Sequence, residues 1–420
     1  MFSNLTIKKG DAYAFPGFVF MKRISRVLSI IIICVLICGL FAGCGSSENV
    51  QDLSKDEAKN PVSLFEEEEA KYDEPSEFET EETIEIEQET DDLKLVETFG
   101  RGINIGNSLD CIDNNNYALP VTEVSWGNPI ITKTYVDSLV DAGFKTIRIP
   151  VTWEPHIYNG IIDEIFMNRV QEVVDYAYED GAYVILDMHH DKKLVPSYDN
   201  YNFAKEYLEM VWGQVADRFK EYDEKLIFEG INEPRFLNSP DEWTEGTPEG
   251  ADNVNKLMAD FVNVIRKSGG NNEDRLLLIT CYCNRAESTA LERLVIPEDE
   301  NLAVAVHTYD PYFFTSSTSP IAFDDSFKQQ LEYTFQSIRE YKKMHDVPII
   351  VTEWGVFESV GKEGRIEYIK HFLNSMDEMD IPCVWWDNGL GYGDNAFSLF
   401  DRNTGEALDR DIVEAFFEEN

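Results

Sequence analysis

The sequence predicts an α/β fold, a closed (β/α)8 TIM barrel forming a single domain. Three observations predict it. From about residue 95 onward, short apolar runs alternate with helix-like stretches, eight of each in about 325 residues. The apolar runs are continuous, as in strands of a parallel sheet covered by helices on its faces. Polar residues collect where these runs end, and a barrel carries its chemistry at the mouth formed by the C-terminal ends of its strands.

The strands are expected at 102–106, 146–150, 183–188, 226–231, 276–280, 302–307, 348–353 and 382–387, and the helices at 132–142, 163–180, 203–220, 253–268, 288–294, 327–345, 365–379 and 409–418. Asn107 follows the first strand, and the loop beyond it holds Trp126 beside Gly127. The second carries Arg148 between Ile147 and Ile149, and a buried strand does not accept an unpaired guanidinium. The third runs into Asp187, His189, His190 and Asp191, and the fourth into Asn232, Glu233 and Pro234, where proline ends the ladder. The fifth leads to Cys281 and Cys283, read as strand neighbours on one face. His307 and Tyr309 end the sixth strand, Glu353 the seventh, and Trp386 and Asp387 the eighth. An open doubly wound sheet is the alternative. It calls for a glycine-rich phosphate turn, and Gly102-Ile103-Asn104-Ile105-Gly106 lacks the third glycine and a following helix.

Composition narrows the partners. The formal net charge is −43, which disfavours nucleic acid, since phosphate binding wants clustered lysine and arginine. A neutral polymer is not repelled by such a surface. Four cysteines in the domain, Cys111, Cys281, Cys283 and Cys383, are expected as free, partly buried thiols.

The N-terminus reads as an address. Residues 1–20 look like an upstream mis-start before Met21. Residues 21–44 run from a basic segment through an apolar stretch to Ala42-Gly43-Cys44, the pattern of an export signal with a lipoprotein-type ending. An uncleaved anchor or an ordinary cleaved signal are the alternatives. Residues 45–93 are acidic, with Glu66 to Glu69 in a row, and are expected to be a disordered linker ahead of a domain spanning 94–420. The expected location is extracellular, on a bacterial cell surface, with the membrane contacted through an N-terminal lipid anchor.

The chemistry lies in two glutamates. Glu233 and Glu353 each end an apolar run, and a carboxyl pair across one mouth is what cleavage of a glycosidic bond requires. Glu233 is assigned as general acid/base and Glu353 as nucleophile. Glu353 is expected to stay ionised and Glu233 protonated, so their environments must separate the two, with Arg148 beside the ionised one and Tyr309 orienting it. His189, His190 and His307 offer a competing metal reading. It is disfavoured because neighbours on a strand point to opposite sides, so no metal and no cofactor is expected. Trp126, Trp153, Trp212 and Trp386 are candidates to stack on sugar rings, with Trp386 and Trp126 preferred and Trp212 expected to pack inside.

Arg148 in Thr-Ile-Arg-Ile-Pro-Val, Asp187-Met188-His189-His190-Asp191, Gly230-Ile231-Asn232-Glu233-Pro234, His307-Thr308-Tyr309, Glu353-Trp354-Gly355 and Trp385-Trp386-Asp387-Asn388-Gly389 occur in that order. Together they resemble glycoside hydrolase family 5 from about Phe99 to the C-terminus. Gly102 to Asp110 and Phe228-Glu229-Gly230 make the likeness strongest to the subfamily 4 branch of bacterial endo-β-1,4-glucanases. The resemblance implies a retaining two-step mechanism without metal or cofactor on a β-glucan such as cellulose, and a monomeric catalytic domain. It also implies an inner shell of Arg148, His189, Asn232, His307 and Tyr309, with Trp386 as stacking platform. Xyloglucan, mixed-linkage glucan, xylan and mannan remain alternative substrates. A surface lipoprotein that captures glycans without cleaving them is the alternative of another class. Trp354 departs from the family's more usual phenylalanine, and an effect on packing below the nucleophile is expected.

Overall fold

The computed structural model describes residues 95–112, apart from 97, and 122–418. The expected mis-start, export signal and acidic linker lie outside the described residues. Among the described residues, no helix is long and apolar enough to cross a membrane.

Eight parallel strands close a barrel: β1 (Arg101–Asn104), β2 (Thr146–Ile149), β3 (Tyr183–Asp187), β4 (Leu226–Glu229), β5 (Leu277–Ile279), β6 (Leu302–Thr308), β7 (Ile349–Trp354) and β8 (Cys383–Trp385). Each pairs with its neighbour in sequence, and β8 closes on β1 through Ile103 opposite Trp385. Between them run α1 (Lys133–Asp141), α2 (Glu164–Glu179), α3 (Tyr201–Phe219), α4 (Pro248–Arg266), α5 (Ser288–Leu291), α6 (Asp325–His345) and α7 (Lys362–Asp377), with α8 (Arg410–Glu414) after the last strand. Helix starts are capped by side chains that accept from the first turn: Thr132 for α1, Asp163 for α2, Thr247 for α4 and Asp324 for α6. These caps set starts that apolar periodicity leaves open. Helix α4 begins five residues earlier than expected, at Pro248.

The barrel interior is divided along its axis. Phe99, Ile185, Ile227, Leu278, Ala303, Ala305, Ile350 and Val384 form one buried apolar cluster inside the ring. A second and larger cluster lies between the strands and the helices, with Trp212, Trp354 and Phe372 among its members. Toward the C-terminal ends the interior turns polar: Asn104, Arg148, Asp187, Glu229, Thr280, His307 and Thr352 are all buried. An apolar plug thus carries a charged layer, and that layer floors the mouth.

Two sequence expectations are corrected. Cys281 and Cys283 are not strand neighbours, because β5 ends at Ile279 and a tight turn follows, with Cys283 at φ 58°. Both are buried free thiols, as are Cys111 and Cys383. The tandem histidines do not diverge either. Strand β3 stops at Asp187, so alternation no longer governs the next residues, and the His189 and His190 rings meet edge to face at 4.3 Å.

Candidate active site

Arg148 organises the mouth. Its side chain is fully buried on β2 and forms ion pairs with three carboxylates, each from a different strand or strand end: Asp187 at 2.8 Å, Glu229 at 2.7 Å and Glu353 at 2.7 Å. It also donates to the carbonyl oxygens of the Asn104 and Asn232 side chains, both at 2.9 Å. Burial by itself lowers the pKa of Arg148, but the charges of Glu229, Asp187 and Glu353 raise it well above its ordinary value. This cation is permanent.

Glu353 projects inward from β7 through a bulge. Val306 lies opposite Val351, yet His307 lies opposite Glu353, so β7 carries one extra residue at Thr352. The bulge brings both Thr352 and Glu353 to the inside. Besides Arg148, Glu353 accepts a 2.9 Å hydrogen bond from the Tyr309 hydroxyl. Burial is the largest influence on its carboxyl and holds it above the usual value, against the charges of His307 and Arg148.

Glu233 stands just beyond β4 in a left-handed conformation, φ 44°, with its amide donating to the Asn284 side chain at 2.7 Å. A non-glycine residue held there stores roughly 1–3 kcal/mol of backbone strain. Pro234 ends the strand at this point, and Asn284, itself at φ 49°, holds the turned-up peptide. Glu233 accepts from His307 Nδ1 at 3.2 Å and lies 3.4 Å from Arg235. Burial acts to raise this carboxyl, but the His307 hydrogen bond and the charges of Arg235 and His307 draw it down to about 2. His307 in turn is raised: burial lowers it, and the charges of Glu353 and Glu233 more than compensate. Its Nε2 faces the Thr352 hydroxyl at 3.1 Å. One oxygen each of Glu233 and Glu353, and one ring nitrogen of His307, lie within 4.8 Å of one another.

An aromatic row extends from this centre. Trp386 is parallel to the His189 ring at 5.7 Å, His189 touches His190, and His190 faces Trp126 at 5.7 Å. Trp126 is 39% exposed and Trp386 half-buried, so both present surface to a ligand. Gly106 makes room for the platform, since a Cβ there would sit 2.5 Å from the Trp386 ring. His189 Nδ1 is tied to Asp187 at 2.7 Å, and burial keeps the ring neutral by pulling its pKa well down.

Other expected residues serve different ends. Asp387 is fully buried and bonded by Ser398, Leu399, Gly389 and Arg402, so it anchors the segment behind Trp386 rather than facing the mouth. Trp153 is buried with its indole donating to the Asp187 carbonyl, which removes it from the stacking candidates, and Trp212 packs inside as expected. Asn107 sits at the strand end at φ 55°, its carbonyl accepting from Asn128. Sequence reasoning missed Glu229, Asn104, Asn284 and Arg235. Glu229 had a signal: one buried guanidinium on a strand asks for carboxylates at the same level of neighbouring strands.

Among the described residues, two clusters carry metal-ligating atoms, Glu233–His307–Glu353 and Asp110–His189–His190. The first already has the Arg148 cation 2.7 Å from Glu353, which disfavours a dication there.

Residues 111–391 match the family model for cellulase, glycosyl hydrolase family 5. The chain belongs to that family. Endoglucanase A of Ruminococcus albus is 40% identical over 337 residues, which cover 78% of this chain and 92% of that protein. Among solved structures, a GH5-4 broad-specificity endoglucanase from Clostridium longisporum superposes with a TM-score of 0.75 at 36% identity, covering 77% of this chain and 97% of its own. A xyloglucan-specific endo-β-1,4-glucanase of family 5 from a metagenomic library, solved with cellotriose, gives 0.74 at 37% identity, with 77% and 98% covered. This family 5 chain is therefore a glycosidase.

Proposed function

We propose that the chain is an endo-acting, retaining β-1,4-glucanase in which Glu353 is the nucleophile and Glu233 the acid/base. One observation carries the assignment: an oxygen of Glu233 and an oxygen of Glu353 lie within 4.8 Å of each other at one mouth, which fits the close carboxyl pair of a retaining enzyme better than a pair held apart by a water. The endoglucanase names of the relatives and the bound cellotriose support the substrate class.

Glu353, ionised and aimed by Arg148 and Tyr309, attacks the anomeric carbon. His307 Nδ1 passes a proton across their hydrogen bond to Glu233, which delivers it to the leaving oxygen and is left as a carboxylate. A water then enters, Glu233 accepts its proton and returns it toward His307, and the sugar leaves Glu353 with its configuration kept. The charges of Glu353 and Glu233 raise the proton affinity of His307, which places a proton source one hydrogen bond from Glu233. Trp386 stacks on the ring at the cleavage point, and Trp126 holds the chain farther out.

We propose further that the protein is exported and held at the surface by lipid on Cys44, with residues 45–93 as tether. The test of function is a panel of soluble β-glucans with product lengths followed in time. Rapid loss of viscosity with mixed oligosaccharides is expected from carboxymethylcellulose or β-glucan. Release of only one short product refutes endo action. Because one similar structure is xyloglucan-specific, xyloglucan belongs in the panel.

A further inference from the structure

Apart from Arg365, the buried arginines of the domain are largely satisfied, although Arg402 Nε has no partner among the described residues. Arg148 has its three carboxylates, Arg402 donates to Asp387 and Ser108, and Arg275 donates to the carbonyls of Phe219, Tyr222, Asp223 and Leu226. Arg365 differs. It lies in the first turn of α7, is 4% exposed, and neither its Nε nor its Nη2 has a hydrogen-bond partner. Those two nitrogens form one edge of the guanidinium, the edge that meets a two-oxygen anion with paired hydrogen bonds.

Arg365 lines a cavity of about 130 Å³ with Glu358, Lys362, Tyr392, Ser398 and Asp409. Of the two acids in its wall, one is committed. Asp409 pairs with Lys362 at 2.9 Å and caps α8, while no ion pair joins Glu358 to Arg365 among the described residues. Burial pulls Arg365 down to about 10, more than Glu358, Asp409 and Asp387 restore. Gly361, which precedes the helix, supplies no capping side chain, so the first-turn amides add to the positive character there.

We propose that this cavity is a binding site for a small oxyanion, of the size of sulfate, phosphate or a simple carboxylate, held through Nε and Nη2 of Arg365. The site has a structural link to the aromatic platform. Ser398 lines the cavity and donates to Asp387, and Leu399, also in its wall, donates to Asp387 at 2.8 Å. Asp387 directly follows Trp386. An occupant therefore ties the start of α7 to the segment that supports the platform.

Crystals of the full chain soaked in selenate test this. An anomalous peak within hydrogen-bond range of Arg365 Nε and Nη2 is expected, absent from Arg365→Gln. In solution, sulfate should raise Tm saturably, by about 2–5 °C at ten times its dissociation constant, over chloride at equal ionic strength. Acetate in the same assay separates planar from tetrahedral preference. Arg365→Gln should lose the saturable part while still cleaving β-glucan, which shows that it folds. Should it not fold, Lys362→Gln replaces it and should raise the sulfate concentration needed. Water or the Glu358 carboxylate on these nitrogens at saturating selenate overturns the proposal. So do identical sulfate and chloride curves, or a selenate peak with no saturable shift, which marks an adventitious ion only.

Discussion

Glu353 and Glu233 face each other across one mouth but are held by opposite kinds of support. Glu353 rises from inside a strand and is gripped by a guanidinium that never releases its proton, with a tyrosine hydroxyl on its other oxygen. Glu233 stands past a strand end, in a left-handed conformation, against a histidine that can give a proton up. The difference teaches how one site gives two identical side chains different work. The permanent cation at Glu353 only partly offsets burial, which still holds that carboxyl above its usual value, whereas the titratable partner draws Glu233 down, the reverse of the protonated acid that the sequence leads one to expect, and makes it a relay. Environment here means the chemistry of the partner, because burial acts on both carboxyls in the same direction.

The comparison breaks most sharply at Glu353. Glu353→Gln keeps the shape and the Tyr309 contact but removes the attacking charge, and turnover on soluble β-glucan should fall by roughly four orders of magnitude or more. Near-normal activity would falsify the assignment of both carboxylates. Glu233→Ala should lose about 10²–10⁴-fold on glucan, the usual worth of a general acid/base. Azide should restore turnover of an activated aryl cellobioside and yield a β-glycosyl azide, since azide replaces water at the second step. An α-azide product contradicts double displacement.

His307 separates the relay from a simpler scheme. If the reacting proton is stored on His307, His307→Gln should slow glucan cleavage by about tenfold or more while sparing a dinitrophenyl cellobioside, whose leaving group needs no proton. Equal loss on both substrates assigns His307 to positioning alone. The pH dependence carries the same asymmetry. Glu233 is depressed to about 2, so its share of stability is present above its ordinary value of 4.5 and is lost as pH falls toward 2. His307 is raised, so its share is present below 6.5 and is lost as pH rises through its folded value. Stability from this pair is therefore greatest between 4.5 and 6.5. Thermal scans across pH should lose the alkaline decline in His307→Gln and weaken the acid one, leaving only the part that Arg235 supports.

Much of this was legible in the chain because strand ends are marked. A run such as Ile349-Ile350-Val351-Thr352 followed by Glu353 announces both the strand and the group at its mouth. Residues inside strands were harder to read. Glu229 falls inside the strand expected at 226–231, and its pairing with Arg148 depends on barrel register, Asp187 opposite Glu229 and Arg148 opposite Ile185. Asn284 was hidden by reading 281–283 as an extended segment, when three residues of tight turn bring it under Glu233. Asp387 and Trp153 show the converse error: position after a strand suggests a mouth, but the direction of the side chain follows the loop's own hydrogen bonds.

The smallest effect is expected beneath Glu353. Trp354 points to the outer layer, stacked on Phe372 at 4.1 Å, and its buried indole N–H finds no acceptor. Its neighbour Trp385 donates to the Phe397 carbonyl at 2.9 Å. Trp354→Phe therefore removes an unsatisfied donor, worth about 1–3 kcal/mol, while losing a comparable amount of packing. The two offset, and Tm should move by less than that of Trp385→Phe, which loses packing and a satisfied bond together. Activity separates two views of the nucleophile. If Arg148 and Tyr309 alone position Glu353, Trp354→Phe leaves kcat unchanged. A clear drop in kcat with Tm preserved means that the outer layer also sets the angle of attack, and the fixed side of the mouth is then fixed from behind as well as from within.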